Sequence, residues 1–139
     1  MAVTEHLIRY PVVQVYDPGS GEGIVVPVTL SLADATVETI ASLDTGATDC
    51  IFARYVGEAL GLEIEDGISR AFRTLSGSFT AYGHNVTLSA GGLAPFDCLV
   101  YFTAHEGRRN YLGRNGWLNR VRAGLVRYEG LLYPGLYDE

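Results

Sequence analysis

Short runs of β-branched and aromatic residues, cut at close intervals by glycine, proline and aspartate, leave this chain little room for anything but sheet. YPVVQVY (10–16) and IVVPVTLSL (24–32) read as strands, and the DPGSGEG between them (17–23) supplies turn residues, so the two are expected to form a hairpin. TVETIASL (36–43) reads as a third strand, with Asp34 marking the turn before it, and it runs straight into Asp44. AFRTLSGSFTAYGHNVTLSAGG (71–92) reads as a long hairpin with Ser76, Gly77 and Ser78 between apolar or aromatic arms, and FDCLVYFTA (96–104) as a strongly β-forming strand. Helical spacing shows in FARYVGEALGL (52–62), where Phe52, Val56, Ala59 and Leu60 share a face and Gly61 is placed as a C-cap. YLGRNGWLNRVRAGLVRYEGLLYP (111–134) gives an apolar turn, a short helix near Trp117 to Arg120 and closing strands. The expected class is all-β with one or two short helices.

With 139 residues, 47% hydrophobic and 19% charged, the chain makes one domain, 1–139, long enough to bury a modest core. The net charge is −6, and the ten basic residues are all arginine and scattered, which argues against a nucleic-acid partner. No apolar run approaches the roughly 20 residues that span a bilayer. MAVTEHLIRYPVV also lacks the basic and apolar regions of a signal peptide, so no membrane and a cytoplasmic location are expected. In a reducing compartment Cys50 and Cys98 are expected to be buried thiols rather than a disulfide. His6, His84 and His105 lack the spacing of a metal site with either cysteine, and GSGEG is followed by neither Gly-Lys-Ser/Thr nor a helix; no metal and no cofactor are expected.

ASLDTGATDC (41–50) then poses a problem, because it ends an apolar strand on a carboxylate. Desolvating an aspartate is costly, so Asp44 is either solvated at a turn or kept for chemistry. The Asp-Thr-Gly-Ala of 44–47 is followed by a strand, a helix ending EALGL, a hairpin with a small-residue tip, and Tyr111-Leu112-Gly113-Arg114. From about Ile24 onwards, and most strongly in LDTGATD and YLGRNGWL, this order resembles the retropepsin-like aspartic proteases, including their single-domain bacterial members. The resemblance implies a closed-barrel acid-protease fold that works as a two-fold homodimer. It implies Asp44 as the catalytic acid, with Thr45, Gly46 and Ala47 as its supporting loop and the Thr45 hydroxyl bonding across the dimer. It further implies Thr74, Leu75, Ser76, Gly77 and Ser78 as the tip of a flap over a peptide or protein substrate, and Tyr111, Leu112, Gly113 and Arg114 as the segment packed behind the catalytic loop. Two departures stand out. Thr48 occupies a position often held by Asp or Ser, so an ion pair to Arg114 either uses Asp49 or is absent, and Gly116 stands where many members carry a bulkier residue.

Peptide hydrolysis by this route needs one carboxylate to take a proton from water and a second, protonated one to donate to the scissile carbonyl. The paired acids of aspartic proteases, sharing one proton because both cannot ionise at close range, are the standard instance. Asp17, Asp34, Asp49, Asp66, Asp97 and Asp138 begin no second Asp-Thr-Gly or Asp-Ser-Gly, so the chain carries half a site. A two-fold axis would supply the other half, bringing the same residue from each subunit together. The reading is therefore a homodimeric aspartic endopeptidase; the rival is a catalytically silent dimer of the same fold that binds extended peptides.

Overall fold

The computed structural model of the chain describes residues 14–15, 23–107 and 109–137. In chain order the elements are β1 (Gln14–Val15), β2 (Val25–Leu32), β3 (Ala35–Leu43), β4 (Ile51–Phe52), helix α1 (Arg54–Ala59), β5 (Ile68–Thr74), β6 (Gly77–Ala90), β7 (Phe96–Thr103), β8 (Tyr111–Leu112), β9 (Val121–Val126) and β10 (Leu131–Leu136). Short 3-10 turns at Ile64–Asp66, Leu118–Arg120 and Arg127–Glu129 complete the described chain. None of its helices is long and apolar enough to cross a membrane.

Seven strands form one sheet in the order β2-β3-β8-β4-β7-β6-β5, and β2 also pairs with β6, while β1, β10 and β9 form a separate three-stranded sheet. The expected hairpin between 10–16 and 24–32 is not what forms. Gln14 and Val15 pair with Leu132 and Leu131 of β10, and β2 instead turns back directly into β3. The reason is the two-residue turn Ala33-Asp34, where Ala33 takes φ +52°, the left-handed backbone that tight hairpins need. The other residues of the 10–16 run lie outside the described residues.

Alternation along β2 sends Val26, Val28 and Leu30 inward, and they meet Val86, Leu88 and Ala90 of β6 in the main core. β4 and β7 run parallel with Ile51 opposite Tyr101 and Phe52 opposite Phe102. That register makes the two strands a dividing wall. Phe52, Val100 and Phe102 face the main core, whereas Ile51 and Tyr101 face a second cluster with Phe72 and Ala81. Phe52 was expected on the helix but belongs to β4, because its ring is drawn into the core beside Phe102, 6.3 Å between centroids.

Helix α1 covers the wall from the core side. A Cβ on Gly57 would stand 2.5 Å from Ile64 and 2.9 Å from the Phe102 ring, so the absent side chain lets the helix lie flat on β7. The helix has no side-chain cap at its own N-terminus; the Asn110 carboxamide oxygen instead accepts the Ala53 N–H at 2.8 Å. Its end is as expected. Gly61 has φ +84°, and the Gly61 and Leu62 amides donate back to Glu58 and Gly57, the paired bonds of a glycine-terminated helix.

Cys50 is fully buried, while Cys98 is half-buried rather than buried, because it lies near the outer end of β7 beside Asp97. Desolvation pushes the Cys50 thiol up to about 12 and the Cys98 thiol to about 11. Both values lie above the roughly 8.5 of an unfolded thiol, so the stability these groups contribute is complete below that pH and is lost as pH rises through the folded values. Denaturant midpoints measured against pH are expected to show a loss above about pH 9 that is smaller in Cys50→Ala than in the native chain. Cys50 is also expected to resist thiol-alkylating reagents at neutral pH until the fold is opened.

Candidate active site

β3 carries Asp44 to the edge of a cavity, and β8 holds it there. The two strands pair in parallel, Ser42 with Tyr111 and Leu43 with Leu112, and the Asp44 amide donates to the Leu112 carbonyl at 2.9 Å. Beyond that bond the chain must turn, since β4 begins at Ile51. The turn is closed by the Asp44 carbonyl accepting from Ala47 at 3.2 Å, while Asp44 Oδ1 accepts the Gly46 N–H at 2.9 Å. A Cβ on Gly46 would lie only 3.2 Å from that same Oδ1, so glycine lets the carboxylate tuck against the backbone. Asp44 Oδ2 has no hydrogen-bond partner among the described residues, and the side chain is half-buried.

Behind the turn the segment after β8 closes on it. The Arg114 and Asn115 amides donate to the Ala47 and Thr48 carbonyls at 2.9 and 2.8 Å. Gly113 lies so close to the turn that a Cβ there would stand 2.1 Å from the Asp49 carbonyl oxygen and 2.9 Å from that of Ala47. Gly116 adopts φ +105°, and a Cβ would crowd the Leu99 carbonyl and the Cys50 sulfur, which explains glycine where a bulkier residue was anticipated.

The hairpin β5–β6 forms the opposite wall. Phe72 stacks on Phe79 at 5.3 Å and meets the Tyr101 ring edge-on at 5.2 Å, anchoring the hairpin arms on the second apolar cluster. At the tip Thr74 Oγ1 donates to the Gly77 carbonyl at 3.0 Å, Gly77 has φ +138°, and Leu75 is fully exposed. Between the two walls lies a cavity of about 490 Å³ lined by Asp44, Gly46, Ala47, Thr48, Ile51, Arg70, Ala71, Phe72, Arg73, Thr74, Phe79 and Tyr111.

Of the expected site residues, Asp44, Gly46, Ala47, Thr74 and Tyr111 line this cavity together. Leu112 and Gly113 are buried behind the turn. Thr45 is exposed on the turn, and Leu75, Ser76, Gly77 and Ser78 form the exposed hairpin tip beyond the lining. Among the described residues Arg114 makes no ion pair: its Nε reaches the Ala47 carbonyl at a long 3.4 Å. Asp49 is taken by Arg70 instead, whose Nη1 donates to Asp49 Oδ2 at 2.6 Å. Arg70 also stacks over Phe72 and Tyr101, at 5.0 and 5.7 Å from the ring centroids. The Tyr101 hydroxyl and then the Asp49 charge hold its guanidinium above the usual arginine range. Sequence reading missed this bridge between hairpin and turn. It also missed Asn110, which besides holding Ala53 donates to Thr39 Oγ1 at 3.2 Å and to the Ile40 carbonyl at 3.0 Å.

The aspartyl protease family profile matches residues 26–115, which include the Asp44 turn, the hairpin and the segment behind them. The chain belongs to that family. Its fold is similar to the crystal structure of a retropepsin-like aspartic protease from Rickettsia conorii, with a TM-score of 0.56 and 16% identity, over 76% of this chain and 86% of that one. The chain is thus mostly β with a retropepsin-like fold. No curated protein matches it.

The contact at Gly113 allows a direct check. Neither the Asp49 nor the Ala47 backbone can move without breaking the turn, so Gly113→Ala is expected to lose about 3 kcal/mol or more in urea denaturation. Gly107→Ala, at a loop glycine with open space around its Cβ position, is expected to lose about 1 kcal/mol, the strain of its positive φ.

Proposed function

We propose that the chain is an aspartic endopeptidase acting as a two-fold homodimer, with water activated between two Asp44 carboxylates, one from each subunit. The observation that carries this reading is the placing of Asp44 on a turn braced from behind by Gly113, with a free carboxylate oxygen at the rim of a cavity roofed by a hairpin. One such turn per chain is half of what the chemistry needs. Water held between two carboxylates loses a proton to the ionised one as it attacks the scissile carbonyl, while the protonated one donates to the carbonyl oxygen.

Two further features support the assembly and the substrate. Thr45 is exposed beside Asp44, where its hydroxyl would face the second copy. Leu125 and Val126 of β9, Tyr128 and Tyr137 expose apolar surface around the terminal sheet, which a second copy would cover. β5 is the outermost strand of the large sheet, and five consecutive residues, Arg70 to Thr74, line the cavity. Consecutive side chains point to opposite faces, so it is the strand's unpaired edge that looks into the cavity, and an extended peptide fits it by strand addition. We read the β2–β6 pairing as the seam that closes the large sheet into a barrel.

A silent peptide-binding dimer would use the same edge, and Asp44 separates the two readings. Asp44→Asn is expected to lower peptide cleavage by at least about 10³-fold while the protein stays folded and dimeric. The wild-type rate should follow a bell-shaped pH profile whose limits belong to the carboxylate pair. Thr45→Ala is expected to weaken the dimer in sedimentation with little change in subunit fold. Equal cleavage by wild type and Asp44→Asn would remove Asp44 from the mechanism, and a monomer that cleaves would remove the half-site argument.

A further inference from the structure

The charges around the cavity are unevenly matched. Asp44 is the acid assigned to the chemistry, and Arg70 is neutralised by Asp49 at 2.6 Å, a contact in which Asp49 is buried. Arg73 also lines the cavity, yet its guanidinium makes no hydrogen bond or ion pair among the described residues. It sits on β5 opposite Ser78, one residue from Phe72, on the strand whose free edge faces the cavity. An arginine presents a fixed fork of donors suited to a carboxylate. In a peptide lying along β5, side chains on the matching face repeat at every second residue and come past Arg73.

We infer that Arg73 selects substrates: the groove takes extended peptides that carry an acidic side chain, Asp or Glu, at a position running beside Arg73. This rests on the reading that the cavity is the peptide site. The chain's net charge of −6 would repel such peptides overall, so the preference has to come from this local guanidinium and not from the general field. The neighbouring Arg70 does not duplicate it, because its charge is spent on Asp49 and its plane on Phe72 and Tyr101.

The test uses short peptides, acetylated and amidated so that no terminal carboxylate is present, in which each position in turn is Glu, Gln or Lys; a second set has a free C-terminus and no acidic side chain. The full chain is expected to cleave the Glu peptide about threefold to tenfold more efficiently than its Gln twin at one or two positions, the size of a partly exposed charge-assisted contact. That ratio should shrink in about 1 M salt. It should fall to about one in Arg73→Gln and turn in favour of Lys over Glu in Arg73→Glu, while Arg120→Gln, which removes a charge outside this cavity, keeps it. Thermal melts of the variants check that the exposed Arg73 is not needed for folding. A Glu-to-Gln ratio of one at every position, a ratio that survives Arg73→Gln, or a preference seen only with the free C-terminus would overturn the inference, and Asp44-dependent cleavage would still stand. Should the wild type cleave nothing, fluorescence anisotropy of the same peptides on the full chain decides. Arg73-dependent preference for Glu then supports the inference while removing the protease reading, and indifferent or absent binding removes both.

Discussion

The bond from the Asp44 amide to the Leu112 carbonyl is the point on which the rest of the site depends. It is the last rung of the parallel pairing between β3 and β8, and it joins segments nearly seventy residues apart in the chain. Once it is made, the backbone of 44–49 has to turn within a few residues to enter β4, and Gly113 decides how closely the turn can be backed. The Arg114 and Asn115 amides then give the Ala47 and Thr48 carbonyls of the turn their partners. A carboxylate at the end of an apolar strand is tolerated because the strand stops there and one of its oxygens faces the cavity.

The wall made by β4 and β7 connects this turn to the two apolar clusters. Its register puts Phe52 and Phe102 on the core side and Ile51 and Tyr101 on the side of the second cluster, where Ile51 also lines the cavity. The hairpin rests on that side of the wall through Phe72 and is tethered to the turn by Arg70 on Asp49. Its tip, with Leu75 fully exposed, touches neither cluster. An anchored base with an exposed tip fits the proposed role of this hairpin as a flap over a bound peptide.

What could be read along the chain was what depends on near neighbours. The turn at Asp34, the C-cap at Gly61, the hairpin around Ser76 to Ser78 and the Asp-Thr-Gly turn each rest on a few consecutive residues whose backbone preferences agree. The readings that failed depended on partners distant in sequence. Residues 14–15 have strand character, but nothing in those letters says that Leu131 and Leu132 will offer the better edge. Phe52 fits a helical period and is taken from the helix by the core. For Arg114 the resemblance left two readings, an ion pair to Asp49 or none; among the described residues it has none, because Arg70 reaches Asp49 from across the cavity.

The sequence by itself therefore determined the class of fold, the turn that carries Asp44, Gly113 behind it and the single Asp-Thr-Gly in these 139 residues, because all of these are matters of residue type and short spacing. Only the tertiary structure decided that five consecutive residues of β5 line one cavity with Asp44, that Arg70 is occupied while the Arg73 side chain has no partner among the described residues, and that Asn110 holds the start of α1. The physical reason is the same in each case. These are pairings between groups on different strands, and which groups meet is set by sheet register and by how the apolar faces pack, quantities to which no single stretch of sequence refers.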